Sequence, residues 1–189
     1  QEQNVFILQG YLLASHPPGV SNLKRMYQAN HHANLANASV IKTFRDMKMP
    51  GKIGPSFAYG PAYSFDSNPQ NIISMEDAEE LQSNFWMDVY LWGKYPLVAK
   101  KMLKNLDVLF VEEKEDEELL IAGKPDFLGL NYYQTHTVMF NPLGGVASGK
   151  MNTTGVPDSA EEIGIPGIFK FAKNPYLDKT NWDWEIDPQ

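Results

Sequence analysis

An α/β architecture of βα units around a parallel sheet is what this 189-residue sequence predicts, and three observations predict it. From Leu23 to Met47, apolar residues recur at helical spacing. Two short stretches, Lys52 to Phe57 and the apolar Phe127 to Leu130, have the length of strands and are preceded by Pro and Gly. Along the chain the order is apolar run, helix, strand, aromatic loop, helices, strand, long loop, and alternation of this kind is the mark of βα units.

Taken in order, Val5 to Leu13 (VFILQGYLL) is too short for period to decide between helix and strand, and Pro17, Pro18 and Gly19 break it. The following helix carries its expected core face on Met26, Ala29, Ala33, Ala36, Val40, Phe44 and Met47, and Pro50 and Gly51 stop it. Lys52 to Phe57 reads as a strand weakened by Pro55, and Ala58 to Gln70 as a loop carrying Tyr59 and Tyr63, of the kind that lines sites. Ser74 and Asp77 form a capping-box pattern, after which Ala78, Leu81, Phe85, Val89 and Trp92 continue a helix to Gly93. Pro96 starts a further short helix, an acidic run covers Glu112 to Glu118, and Gly123 to Pro125 lead into the strand Phe127 to Leu130. Asn141 to Thr180 is rich in Gly, Pro and Asn and shows little periodicity. No repeat or linker divides the chain, so one domain or a piece of one is expected.

Composition narrows the function classes. With 43% apolar residues the chain can build a core, and a net charge of −7 without a basic stripe disfavours a nucleic-acid partner. The absence of cysteine removes disulfides, thiolate metal sites and a Cys nucleophile. No run approaches the roughly 18 apolar residues of a membrane helix, so no membrane partner is expected. The opening Gln1-Glu2-Gln3, without an initiator Met or leader, reads as the middle of a longer polypeptide.

In a parallel α/β architecture the chemistry collects at the C-terminal ends of the strands. The apolar strand there ends in Asn131, Tyr132 and Tyr133. A carboxamide can donate and accept toward a hydroxylated ligand, and a phenol can orient a carboxylate. The ordinary alternative is that the tyrosines are half-buried strand residues with satisfied hydroxyls. His31 and His32 point to different faces of their helix, which suits solvated or core-edge roles better than a metal site, and His16 and His136 are isolated. The acidic run reads as solvated surface. Trp182 and Trp184 fit sugar stacking or packing beneath loops.

"DFLGLNYY" resembles the sixth-strand signature of glycoside hydrolase family 1, the retaining β-glycosidases built on a (β/α)8 barrel. "QEQNVFILQGYLLASHPPGV" resembles the family segment after the fourth strand, and "FWMDVYLWGKYP" and "NWDWEIDP" match further segments in order. The resemblance implies a partial TIM barrel, from the end of strand 4 through strand 6 and its following loop, with residues 1–189 forming an incomplete segment of one catalytic domain.

By the same resemblance Glu2 falls on the general acid/base. Gln1 stands where the family has an Asn that contacts the sugar 2-hydroxyl, and Gln3 stands where the family has Pro. Asn131 would sit beside the sugar subsite, and Tyr133 would hydrogen-bond the nucleophile. That nucleophile is a Glu in a Thr/Ser-Glu-Asn-Gly motif that occurs nowhere in these 189 residues. "EQNVF", "LWGKYP" and "WDWEIDP" look most like bacterial members acting on 6-phospho-β-glucosides. The implied protein is cytoplasmic, binds a small β-glycoside, and needs neither cofactor nor metal. The alternative is a catalytically silent barrel piece with a structural or sugar-binding role. An incomplete barrel exposes sheet edges, so the remaining barrel segments or self-association are expected to cover them.

Overall fold

The computed structural model describes residues 1–142 and 149–188; residues 143–148 of the expected long loop, and Gln189, lie outside the described residues. In chain order the elements are α1 (Gln3–Tyr11), α2 (Leu23–Asp46), β1 (Ser56–Tyr59), β2 (Ala62–Ser64), α3 (Pro69–Glu79) and a π turn (Glu80–Asn84). There follow α4 (Phe85–Trp92), α5 (Leu97–Asn105), α6 (Asp116–Ala122), β3 (Gly129–Tyr132), β4 (His136–Met139), β5 (Gly164–Ile165) and β6 (Phe169–Ala172). They fall into two compact units, Gln1–Ala58 with Asn84–Asn131, and Tyr59–Ser83 with Tyr132–Gln189.

In the first unit, α1 resolves the ambiguous apolar run as a helix. Helix α2 starts where Asn22 caps it, its side chain accepting from the Arg25 N–H at 2.9 Å. The buried face of α2 is not the expected apolar stripe. Met26, Tyr27, Asn30, His31, Asn34, Ala38 and Ile41 are buried, whereas Val40 and Met47 are 60% and 65% exposed. The reason lies across the helix. Tyr95 and Asp116 supply hydrogen-bond partners to His31, and Tyr95 and Gln3 to Asn34, so these polar side chains enter the core at little cost. Around them Tyr27, Phe85, Tyr95 and Phe110 pack with ring centroids 4.7–5.7 Å apart.

Three sequence expectations in this unit need correction. His31 is buried rather than solvated or at the core edge, while His32 is exposed. Asp116 is not plain solvated surface: burial opposes its charge, but the Glu113 N–H and His31 outweigh this and hold its carboxyl below the usual range. Both strands lie toward the C-terminus of the expected stretches, and for β1 the reason is that Pro55 lacks an N–H and the Ile53 N–H is taken by the Asp126 side chain. Asn131 and Tyr132 therefore lie inside β3 rather than beyond its end. The Ile53 and Pro55 carbonyls accept from the Asp126 and Gly129 N–H groups, both at 2.9 Å, so these segments run parallel.

The expected helix to Gly93 exists, but it is interrupted by the π turn and starts earlier. Asn68 caps it, accepting from the Gln70 N–H at 3.0 Å, with Pro69 at its first position. Ser74 is an interior residue that donates to the Ile168 carbonyl at 2.6 Å, not a cap. Gly93 ends α4 in the left-handed region, φ 72°. Ala78, Leu81, Phe85 and Val89 are buried as the spacing requires, and Trp92 is exposed.

The second unit is a four-stranded sheet in the order β2-β4-β6-β5, with α3 packed against β2, β4 and β6. β2 and β4 are parallel with Ala62 opposite His136. β6 is antiparallel to both β4 and β5, so this sheet is mixed rather than purely parallel. β2 lies within the stretch expected to be an aromatic loop, and β5 and β6 within the expected long loop. Their two to four residues are too short to give a period.

His136 is not isolated. Its ring stacks on Phe171 with centroids 4.8 Å apart, over Gly60, where a Cβ would meet the imidazole at 2.8 Å. Burial pushes its pKa down to about 4. A folded pKa below the unfolded value of about 6.5 favours the neutral ring, so this stabilisation is present above about pH 6.5 and is lost as pH falls toward 4. Urea unfolding of wild type and His136→Phe should therefore show a stability difference that shifts against wild type between pH 7 and pH 5. A difference constant over that range would exclude the linkage.

Candidate active site

In the first unit, Glu2 stands immediately before α1 with φ 48° and ψ 42°. The left-handed conformation costs a residue with a Cβ roughly 1–2 kcal/mol, so the surroundings must hold it. They do so on both sides. The Glu2 N–H donates to the Ser56 carbonyl at 2.7 Å, and the Glu2 carbonyl accepts from Val5 and Phe6 of α1 at 3.0 and 3.4 Å. One residue later, Gln3 Nε2 donates to Asn34 Oδ1 at 2.8 Å, and Asn4 Nδ2 donates to the Ala58 carbonyl at 2.8 Å.

The Glu2 side chain meets β3. Asn131 Nδ2 donates to Glu2 Oε1 at 2.7 Å, and Asn131 Oδ1 accepts from Ser56 Oγ at 2.8 Å. The carboxylate fits one amide orientation: it only accepts, so the NH2 faces Glu2, and the Ser56 hydroxyl, able to donate or accept, donates to the carbonyl oxygen. Thus β1 orients Asn131 and Asn131 orients Glu2. Two of the expected site residues, 129 positions apart, are in direct contact. Gln1, beside them in sequence, is exposed. Ser56, Gln3 and Asn34 escaped sequence reasoning, because a strand serine and two helix amides carry no motif.

In the second unit, Tyr133 follows β3 and is 55% exposed, its ring 6.0 Å from that of Trp184. Trp184 belongs to a turn in which Thr180 N–H donates to the Trp184 carbonyl at 2.9 Å. Asp183 anchors that turn by accepting from Lys179, Asn152 and the Asp158 N–H at 2.9, 2.8 and 2.7 Å. Burial opposes ionisation of Asp183, but these donors overcome it and hold its carboxyl well below the usual range. Beyond the turn, Thr135 donates to Glu185 at 2.7 Å and Tyr63 donates to Asp187 at 2.8 Å. The hydrogen bond to Asp187 raises the Tyr63 phenol above its ordinary range. Tyr63, expected from its aromatic loop, and the "NWDWEIDP" segment thus form one polar and aromatic surface with Tyr132, which donates to the Asp187 carbonyl. Among the described residues no three His, Cys, Asp or Glu side chains converge as a metal site, and no helix is long and apolar enough to cross a membrane.

The family model of glycosyl hydrolase family 1 matches residues 1–189. Over 187 residues the chain is 52% identical to the aryl-phospho-beta-D-glucosidase BglC of Bacillus subtilis, covering 99% of this chain and 39% of that protein. It is 28% identical to a 6-phospho-beta-galactosidase of Streptococcus equi subsp. zooepidemicus, covering 95% of this chain and 39% of the other. A family 1 glycoside hydrolase of Thermotoga maritima, solved with a transition-state mimic, superposes with a TM-score of 0.75 at 26% identity, covering 100% of this chain and 37% of that one. The chain thus spans about 39% of the length of the curated relatives it matches, and its fold is a part of the (β/α)8 barrel. In sequence and in fold, the chain belongs to glycosyl hydrolase family 1.

Proposed function

We propose that this chain is the acid/base-bearing segment of a retaining β-glycoside hydrolase acting on 6-phospho-β-glucosides in the bacterial cytoplasm. The observation that carries the reading is the Glu2 carboxyl group held by Asn131 at 2.7 Å. The 52% identity to an aryl-phospho-beta-D-glucosidase supports the substrate class. A single family model running across residues 1–189 supports reading both units as one catalytic domain.

The chemistry follows from two carboxyl groups about 5 Å apart. In the first half, protonated Glu2 gives its proton to the glycosidic oxygen as the bond from that oxygen to C1 breaks. A second carboxylate attacks C1 from the opposite face and forms a glycosyl ester. In the second half, the Glu2 carboxylate takes a proton from water as that water attacks C1 and releases the ester. Tyr133 would hold the second carboxylate, Asn131 and Gln1 would face the sugar, and no cofactor takes part. The second carboxylate has no candidate motif in these 189 residues. The paired strands β1 and β3 would be neighbouring staves, with further strands covering their edges.

The test is hydrolysis of an aryl β-glucoside with and without a 6-phosphate, on protein whose intact mass has been measured. Turnover at least about 100-fold faster with the phosphate is expected, a floor below the roughly 10⁴-fold by which a site built for a polar group rejects the analogue lacking it. Faster turnover of the unphosphorylated glucoside would overturn the substrate class. A polypeptide of 21.4 kDa that turns over neither would support the silent-piece reading instead.

A further inference from the structure

We infer that the hydrogen-bonded chain Gln3–Asn34–Tyr95–His31–Asp116, buried in its middle three members, is a positioning device for the Glu2 carboxyl group, an inference that rests on reading Glu2 as the acid/base. The links are short and consecutive. Gln3 Nε2 donates to Asn34 Oδ1 at 2.8 Å, and Asn34 Nδ2 donates to the Tyr95 hydroxyl at 3.2 Å. The Tyr95 hydroxyl lies 2.9 Å from His31 Nδ1, and His31 Nε2 lies 2.9 Å from Asp116 Oδ2.

The chain has a direction. Tyr95 accepts from Asn34, so its own proton goes to His31 Nδ1, and the imidazole proton then sits on Nε2 and goes to Asp116. Every link therefore donates toward the carboxylate, which also accepts the Glu113 N–H at 2.6 Å at the start of α6. Reversing any one link would leave a buried donor or acceptor unmatched, so the whole chain keeps a single arrangement.

Its far end reaches the site. Gln3 is the first residue of α1, and that helix start has no side-chain cap of its own. Glu2 precedes it in a left-handed conformation, so a shift of Gln3 turns the Glu2 side chain away from Asn131. Asn34 and His31 are each 1% exposed and Tyr95 6%. Apolar residues of the same volume would fill that space equally well and would need no hydrogen bonds. What the polar chain adds is a fixed reach from α6 to the first residue of α1.

The experiment compares kcat/KM for an alkyl β-glucoside, which needs the acid, with that for a 2,4-dinitrophenyl β-glucoside, which does not. Either phosphorylation state that is turned over will serve, and the protein is the full polypeptide carrying these residues. Gln3→Met removes one link and Tyr95→Phe removes two, both while keeping shape. Each is expected to lower the alkyl rate about 5- to 20-fold, a fraction of the loss from a 1 Å misplacement, with less than about a 2-fold change on the dinitrophenyl substrate. The double variant should match the worse single. Equal losses on both substrates, no loss, or multiplied losses in the double variant would overturn the positioning role. Should Tyr95→Phe fold poorly, Asp116→Ala carries the same expectation from the other end. Glu2→Gln, run alongside, separates the two failures. If it lacks the split between substrates, the acid/base reading falls and takes this inference with it. If it shows the split and the network variants do not, only the positioning role falls.

Discussion

Glu2→Gln is expected to lower kcat/KM for a β-glucoside with a poor leaving group by about 10²–10⁴-fold, the usual worth of general acid help. The amide keeps the size of the side chain and its contact with Asn131 through Oε1, but it has no proton to give to the departing oxygen. A dinitrophenyl leaving group departs without protonation, so its first-step rate should stay near wild type. The second step still needs a base, so the glycosyl ester should accumulate and appear as a burst. Azide attacks C1 without losing a proton, and adding it should restore turnover and yield a β-glycosyl azide. Equal losses on both substrates, without azide rescue, would remove Glu2 from the acid/base role.

The largest effect on stability is expected at Gly123, where α6 crosses α2. A Cβ on Gly123 would lie 2.3 Å from the Ala38 Cα and 2.4 Å from both its Cβ and its carbonyl oxygen. Backbone atoms cannot rotate away, so Gly123→Ala must push the two helices apart, at a cost of about 3 kcal/mol, the upper end for overpacking. A lower urea midpoint at unchanged m-value is the readout. Ala38→Gly in the same chain should recover part of the loss, because it removes one of the three opposing atoms. Helix α6 also carries Asp116 to His31, so the alkyl-glucoside rate should fall further than the dinitrophenyl rate. Unchanged stability would mean that α6 can shift freely along α2.

Much of this was legible in the residues. The bounds of α2 follow from its spacing and from Pro50 and Gly51, and the family is legible in ordered segments such as "DFLGLNYY". Local signals sufficed there because a helix period and a motif are properties of neighbouring residues. Where a nearer and stronger signal competed, the reading failed. Ser74 and Asp77 imitate a cap, yet Asn68 and Pro69 begin α3, since a cap followed by Pro satisfies the first turn better.

What the sequence by itself determined is the class of the fold, the family and the identity of Glu2, Asn131, Gln1 and Tyr133 as candidates. Only the tertiary structure decided which face of α2 is buried. His31 reads as solvated or at the core edge until Tyr95, 64 positions away, and Asp116, 85 positions away, arrive as its partners, and Tyr95 also accepts from Asn34, 61 positions away. Only the tertiary structure joined Glu2 to Asn131 across 129 positions and set Ser56 behind them. The physical reason is the same in each case: a polar side chain enters the core at little cost when a partner meets it there, and for His31, Asn34 and Asn131 that partner is set by the packing of distant segments, not by neighbours in the chain.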